Sequence, residues 1–254
     1  MKFHNLTYVA LALTFACSSP KTESATESDA VEETKEEVVA VEEKPAVCIW
    51  DNISVRETPS AKGKWLTSIS LGESLTFVGL TAVDSSDKNR EYMKVQLNDG
   101  TEGWSAADFI IPEGEIGVFL EETFIYNRPD LLTKSDKMYE RLDIIAVQNT
   151  QDDWQEVIGK RSEGKWIDSG WIKKGKLSFK SIDIAAAKFL KDALSKDTEE
   201  ESLESLNMIL ENPDLKESSI MIDVQAAVNE ISGVGEELMP SDTLTEVSEE
   251  AIGE

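Results

Sequence analysis

Between Val47 and Phe179, short apolar runs alternate with turn residues, and after Phe179 apolar residues recur at spacings of three and four. The first pattern predicts strands and the second predicts helices. Ile53-Ser54-Val55 leads into the polar loop Thr58 to Gly63, and Trp65 to Ile69 is the next strand. Leu71-Gly72-Glu73 is a turn, Leu75 to Leu80 a strand, Thr81 to Arg90 a polar loop, and Tyr92 to Leu97 alternates with period two. Asn98-Asp99-Gly100 reads as a hairpin turn, because these residues tolerate the positive backbone angles such turns require. Thr101 to Ser105 returns, and the run ends at Phe109-Ile110-Ile111. Five short strands in about 60 residues are the content of a small barrel.

The pattern then repeats in outline, which makes an internal duplication worth testing. Phe124 to Pro129 parallels Val55 to Ser60, Leu142 to Val147 the central strand, Trp154 to Val157 the run from Tyr92 to Val95, and Gly170-Trp171 the pair Gly103-Trp104. A second, divergent barrel over residues 113–179 is expected, the alternative being a strand-rich extension packed on the first. Beyond it, Ile182, Ala185, Ala186, Phe189, Leu190 and Leu194 make one apolar helical face. Leu203, Leu206, Asn207 and Leu210 make a second, ending before Asn212-Pro213, and Ile220 to Ile231 a third. The fold class is therefore mainly β, two tandem small barrels followed by a short helical segment over residues 180–232.

Both ends of the chain differ from this body. Lys2 precedes the uncharged run Leu6 to Ala16, long enough for the apolar part of an export signal and short of the roughly 20 residues a membrane span needs. The run closes on Ala16-Cys17-Ser18, a boundary that resembles a bacterial lipoprotein processing site. Residues 1–17 are thus expected to be a signal peptide ending at a lipidated Cys17, with a soluble secreted form as the alternative. Residues 18–46 are rich in Glu and free of aromatics, too polar to offset the entropy of ordering, and are expected to be a disordered tether. As a coil, such a length reaches roughly 30 Å. Residues 233–254 are expected to be a disordered acidic tail.

The chain of 254 residues has a net charge of −25, which makes nucleic acid and anionic lipid surfaces poor partners. Its one histidine, His4, falls in the signal, so the mature chain would hold no imidazole for a Ser/His/Asp triad, a Cys/His pair or a His-containing zinc site. With Cys17 acylated, Cys48 is the remaining thiol and reads as a small buried hydrophobe. No cofactor is expected. Paired carboxylates such as Glu121-Glu122 and Asp152-Asp153 read as solvated strand ends rather than glycosidase pairs.

Val55-Arg56-Glu57-Thr58-Pro59-Ser60, Leu71-Gly72-Glu73, Tyr92-Met93-Lys94-Val95 and Asp99-Gly100-Thr101-Glu102-Gly103-Trp104 resemble, in order and spacing, the motifs of bacterial SH3-like domains. The resemblance covers residues 47–112. It implies a small barrel in the cell envelope that binds peptidoglycan or peptide segments, with the Gly-Trp tryptophans, here Trp104 and Trp171, packing the barrel. The loop Thr81 to Arg90 is longer than the family pattern.

Against that background Trp50, Trp65, Tyr92, Tyr126 and Trp154 are candidates for an exposed platform that stacks on sugar rings or peptides. Arg56 and Arg128, taken as equivalent positions, are candidates for holding a carboxylate. Lys160, Arg161, Lys165, Lys173, Lys174 and Lys176, with Lys180, form a basic strip that could meet an anionic polymer or the acidic tail. The expectation is a non-catalytic, lipid-anchored envelope protein, at the outer membrane, that binds peptidoglycan or an envelope protein. The alternative is an accessory or sensor subunit docking a partner protein through its C-terminal helices, and a hydrolase is the third class considered.

Overall fold

The computed structural model describes residues 42–233. The signal, Cys17, the tether up to residue 41 and the tail from residue 234 lie outside the described residues. Among the described residues, fourteen strands fall into two sheets of seven. The first holds β1 (Lys44–Cys48), β2 (Ile53–Arg56), β3 (Trp65–Ile69), β4 (Ser74–Asp84), β5 (Arg90–Gln96), β6 (Glu102–Ala106) and β7 (Ile110–Pro112). The second holds β8 (Glu115–Phe119), β9 (Thr123–Tyr126), β10 (Lys134–Tyr139), β11 (Ile144–Gln151), β12 (Trp154–Lys160), β13 (Ile167–Lys173) and β14 (Leu177–Ser178).

Both sheets follow one recipe. Their strand orders are β3-β2-β6-β5-β4-β1-β7 and β10-β9-β13-β12-β11-β8-β14, which are the same order offset by seven. The turns repeat as well. Gly72 N donates to Cys48 O and Cys48 N to Glu73 O, at 2.8 and 3.0 Å, and Leu142 N donates to Phe119 O and Phe119 N to Asp143 O at the same two distances. The repeat expected from the sequence is present as a second seven-stranded sheet of the same strand order, with Leu142 at φ +73° where the first has Gly72 at +80°.

Several boundaries move. Lys44, Pro45 and Ala46 belong to β1, paired with Phe77, Thr76 and Leu75, so the body starts three residues inside the expected tether. β4 runs through Thr81 to Asp84 instead of giving way to a loop, because a bulge between Phe77 and Thr81, with Gly79 at φ +78°, restores its pairing with β5. The hairpin at Asn98-Asp99-Gly100 forms as expected, with Asp99 accepting from Thr101 N at 2.8 Å and Gly100 at φ +85°.

Each barrel has its own apolar interior. Cys48, Val55, Ile69, Phe77, Val95 and Ile110 fill the first, and Phe119, Ile125, Tyr139, Ile145, Val157 and Ile172 fill the second. Phe119 and Tyr139 stack there at 4.9 Å between ring centroids. The Tyr139 hydroxyl donates to Asp168 O at 2.9 Å, which satisfies the polar tip of a buried ring.

A third cluster joins everything else. Val47, Ile49 and Ile111 of the first barrel and Ile116, Val118, Ile144 and Ala146 of the second pack with helices α1 (Ser181–Leu194), α2 (Glu199–Glu211) and α3 (Met221–Ile231). The helices are therefore not an appendix: they complete the joint between the barrels. This shifts the α1 face. Asp183, Ala186, Ala187, Leu190 and Ala193 are buried, while Phe189 and Leu194 point outward, because small residues let the helix lie close to the joint. In α2, Leu206 and Ile209 are buried and Asn207 is exposed.

Polar ties lock the helices down. The carboxylate of Asp183 accepts from Ser178 Oγ at 2.6 Å, Ser218 Oγ at 2.8 Å and Ser219 N at 2.8 Å, joining barrel, α1 and the lead-in to α3. Lys188 of α1 reaches Asp51 at 3.0 Å and Leu71 O at 3.1 Å in the first barrel.

Candidate functional site

The groove between the barrels brings together two of the candidate residues, Trp50 and Lys165. Trp50 follows β1 and stands against Phe109, which a 3-10 turn (Ala107–Phe109) delivers from the first barrel, with ring centroids 5.8 Å apart. Across the groove, the β12–β13 hairpin of the second barrel contributes Ile158, Lys165, Trp166 and Ile167. These residues, with Arg90, Asp108 and Ile111, enclose about 640 Å³. Trp166 is 78% exposed, a ring that the fold leaves facing the open space.

The groove has an aromatic and aliphatic floor with the cations Arg90 and Lys165 and the acid Asp108 at its edge, Arg90 lying 3.8 Å from Asp87. Arg90 stands on the first barrel's side and Lys165 on the second's. Lys160 Nζ lies 5.1 Å from the centre of the Trp50 ring, a cation over the negative face of an indole. Such a surface can hold a ring or apolar side chain flat while the rim engages carboxylates.

On the other side of Trp50, a smaller cavity of about 240 Å³ is lined by Asp51, Asp143, Lys160, Arg161, Ser162 and Lys191. Asp143 is fully buried and accepts four hydrogen bonds, from Ser162 Oγ at 2.6 Å, Lys191 Nζ at 2.8 Å, Glu140 N at 3.0 Å and Ser162 N at 3.2 Å. Lys191 Nζ also donates to Ser162 Oγ at 3.1 Å. Both Ser162 Oγ and Lys191 Nζ are thus engaged by the buried Asp143 carboxylate. The trio ties α1 to the second barrel.

The expected platform divides. Trp50 lies in the groove. Trp65 is exposed on β3, far from Trp50 in strand order, with its ring N–H toward Ser68 Oγ at 3.3 Å. Tyr92 and Trp154 occupy matching places on β5 and β12 and are buried, at 4% and 7% exposure, so neither offers a face to a ligand. Burial raises the Tyr92 hydroxyl above its ordinary value. Trp154 is closed over by Tyr126, edge-on at 4.9 Å, and by Lys173, whose Nζ is 4.2 Å from its ring centre.

The Gly-Trp pairs also reverse their expected roles. Trp104 and Trp171 are half-buried on the outer sides of their sheets, and the glycines face inward. A Cβ on Gly103 would stand 2.5 Å from Val55 Cγ1 and 2.8 Å from Arg56 O; one on Gly170 would stand 2.4 Å from Ile125 Cγ2. The motif exists because β6 and β13 must pass close to β2 and β9.

Register corrects the arginine pair. Arg56 pairs with Trp104, and Tyr126, not Arg128, pairs with Trp171. Arg56 is a structural donor, its Nη1 reaching Gly63 O at 2.7 Å, and Arg128 is exposed in the β9–β10 turn.

The basic strip is split by its own hairpin. Lys160 pairs with Ile167 at one end and Lys173 with Trp154 at the other, about 20 Å away at the rise of a strand. Lys160, Arg161 and Lys165 border the two cavities, although Arg161 Nε is engaged by Asp168 at 2.7 Å. Lys173, Lys174 and Lys176 lie at the far end, Lys176 beside Glu121. Cys48 is buried, its thiol donating to Trp50 O at 3.1 Å and pushed up to about 11 by burial. Among the described residues, no group of acids, cysteines or histidines is placed to hold a metal.

Sequence reasoning missed Phe109, Arg90 and Trp166. Trp166 carried a signal: of the six tryptophans, it alone served no motif and no platform, in the polar stretch Glu163-Gly164-Lys165.

No family model matches the chain, and neither does any curated protein. Among solved structures, it is similar to NlpC2 from Trichomonas vaginalis, with 10% identity and a TM-score of 0.23 over 66% of this chain and 56% of that one. NlpC1 from the same organism is similar at 11% identity and a TM-score of 0.23, over 59% of this chain and 53% of that one. The chain therefore spans little more than half the length of those proteins, and a likeness of this size carries no argument about activity.

Proposed function

We propose that the protein is a non-catalytic, lipid-anchored binding protein of the bacterial cell envelope, held at the outer membrane through Cys17. Its ligand, peptidoglycan or an envelope protein, occupies the groove between the barrels. The observation that supports this reading is the meeting of Trp50, Phe109 and Trp166 with Arg90 and Lys165 around one open space of about 640 Å³. Muropeptides and acidic protein segments both offer carboxylates beside apolar groups, the chemistry this surface complements.

The test uses Trp166→Ala and Lys165→Glu, since both side chains are exposed and neither belongs to an apolar interior. Each is expected to weaken retention on purified peptidoglycan, or on the envelope protein captured by the parent chain, without changing the melting temperature. Retention equal to the parent's on both would sink the groove reading. Cys17→Ala is expected to stop fatty-acid incorporation and release the protein from membranes; continued labelling would refute the anchor.

A second reading, docking of a partner through the helices, is favoured by the outward placement of Phe189 and Leu194 on α1, Met208 on α2 and Ile222 on α3. Substituting Met208 and Ile222 by Ser separates the two readings, because only the second predicts loss of a partner.

A further inference from the structure

The turn between β9 and β10, residues 127–133, holds two adjacent leucines out in solvent. Leu131 is 62% exposed; Leu132, at 92%, is the most exposed large apolar side chain among the described residues. The backbone behind them is held by several hydrogen bonds. Asn127 N donates to Thr133 O at 3.0 Å, and the Asp130 carboxylate accepts from Leu132 N at 2.9 Å. The Thr133 hydroxyl donates toward Arg128 O at 2.9 Å and Asp130 O at 2.8 Å, and accepts from Arg128 N at 3.1 Å.

The duplicated fold supplies an internal control. The equivalent turn of the first barrel, residues 57–64, closes with the matching bond, Glu57 N to Lys64 O at 2.9 Å. It runs Pro59-Ser60-Ala61-Lys62 where the second runs Pro129-Asp130-Leu131-Leu132. The first turn is one residue longer and lacks the 3-10 turn Leu131–Thr133 of the second, so an apolar apex is not common to the two barrels. The exposure of the leucines is a property of the surface and asks for an apolar medium outside the chain.

At the tip, the leucines stand next to Asp130, which is itself exposed. Arg128 and Lys134 flank it on either side in the chain and both are exposed. Lys134 Nζ lies 3.1 Å from the ring centre of Phe124, which is itself partly exposed. Apolar side chains at an apex with cations one step behind match the layering of a bilayer surface, where acyl chains lie beneath anionic phosphates.

We propose that Leu131 and Leu132 insert into the interfacial layer of a phospholipid bilayer, with Arg128 and Lys134 at headgroup level, so that the second barrel rests on the membrane. Two leucines make a weak and reversible contact of the kind that works alongside a second anchor. The contact is independent of the groove ligand. Asp130, at the tip itself, opposes an anionic surface directly, whereas acids farther off are screened beyond roughly 8 Å at physiological salt.

The test uses residues 18–254, which exclude the apolar leader and the acylated cysteine but keep all three apolar clusters, whose members lie between residues 46 and 231. This chain is mixed with phosphatidylcholine vesicles containing phosphatidylglycerol, and the bound fraction is read by sedimentation. It is expected to partition onto them, and Leu131→Ser/Leu132→Ser to reduce the partition coefficient by about tenfold or more with an unchanged melting temperature. Leu132→Cys, labelled with an environment-sensitive dye, is expected to shift to the blue on vesicles. A parent chain that stays in the supernatant, as it would if the leucines fitted a protein pocket instead, overturns the proposal, and so does a double variant that partitions equally.

Discussion

Arg141 and Asp223 form a two-pronged ion pair, 2.6 Å on each arm, across 82 residues of sequence. Arg141 belongs to the turn before β11 and also donates to Leu120 O, while Asp223 stands in the first turn of α3. The fork geometry of guanidinium on carboxylate makes this the strongest kind of polar tie available to a half-buried joint. Arg141→Ala is expected to cost about 1–2 kcal/mol in urea unfolding, and to raise amide exchange in α3 before it does so in either barrel. Uniform exchange across the whole body would show that α3 does not depend on this tie.

The inward glycines set the second expectation. Gly103→Ala places a methyl group 2.5 Å from Val55 Cγ1 and 2.8 Å from a backbone oxygen, so the strand itself must shift. A loss of about 1–3 kcal/mol is expected, against a smaller one for Trp104→Ala, because the tryptophan keeps one face in solvent. Thermal unfolding of the two variants decides the order, and the reverse order would return Trp104 to the interior.

Why Gly-Trp misled and other signals did not is a matter of what each residue reports. Asn98-Asp99-Gly100 states a local backbone need, and the hairpin formed where those residues stood. The alternation in Tyr92 to Leu97 marks one face of a strand, but period two does not say which face is inward. Residue size alone therefore puts Trp104 on the inner side, where the structure has Gly103, and puts Tyr92 on the surface, where the structure buries it. Arg128 was matched to Arg56 by residue type, although counting from Pro129 and Pro59 would have given Tyr126. The second barrel was legible because its turns and strand lengths repeat. The groove was not, because it joins Phe109 to Trp166 through an interface that no periodicity encodes.

Trp154→Ala should act on stability and not on ligand. The ring is buried beneath Tyr126 and Lys173, so its removal opens a cavity in the second barrel. A loss of about 3–5 kcal/mol is expected, with groove binding by the folded fraction unchanged. Loss of binding at full stability would restore Trp154 to the platform.

Acid should loosen the helical joint through Asp183. Burial by itself would raise this carboxyl, but the hydroxyls of Ser178 and Ser218 and the amide of Ser219 outweigh it and hold the group below its ordinary value near 3.8. Asp168 behaves alike: burial pushes upward, and its bonds to Lys137 and Arg161 pull it lower. A carboxyl depressed in the folded state contributes stability that is fully present above its unfolded value and is lost as pH falls through the folded one. Unfolding free energy is therefore expected to hold near neutrality and to fall as pH drops below about 4. Asp183→Asn removes the titrating group and leaves an amide that must reverse one serine hydroxyl. It is expected to cost about 1–3 kcal/mol at neutral pH and to flatten the acid limb. Urea titrations of both proteins from neutrality to pH 3 measure the two slopes, and equal slopes would show that Asp183 carries none of the acid sensitivity.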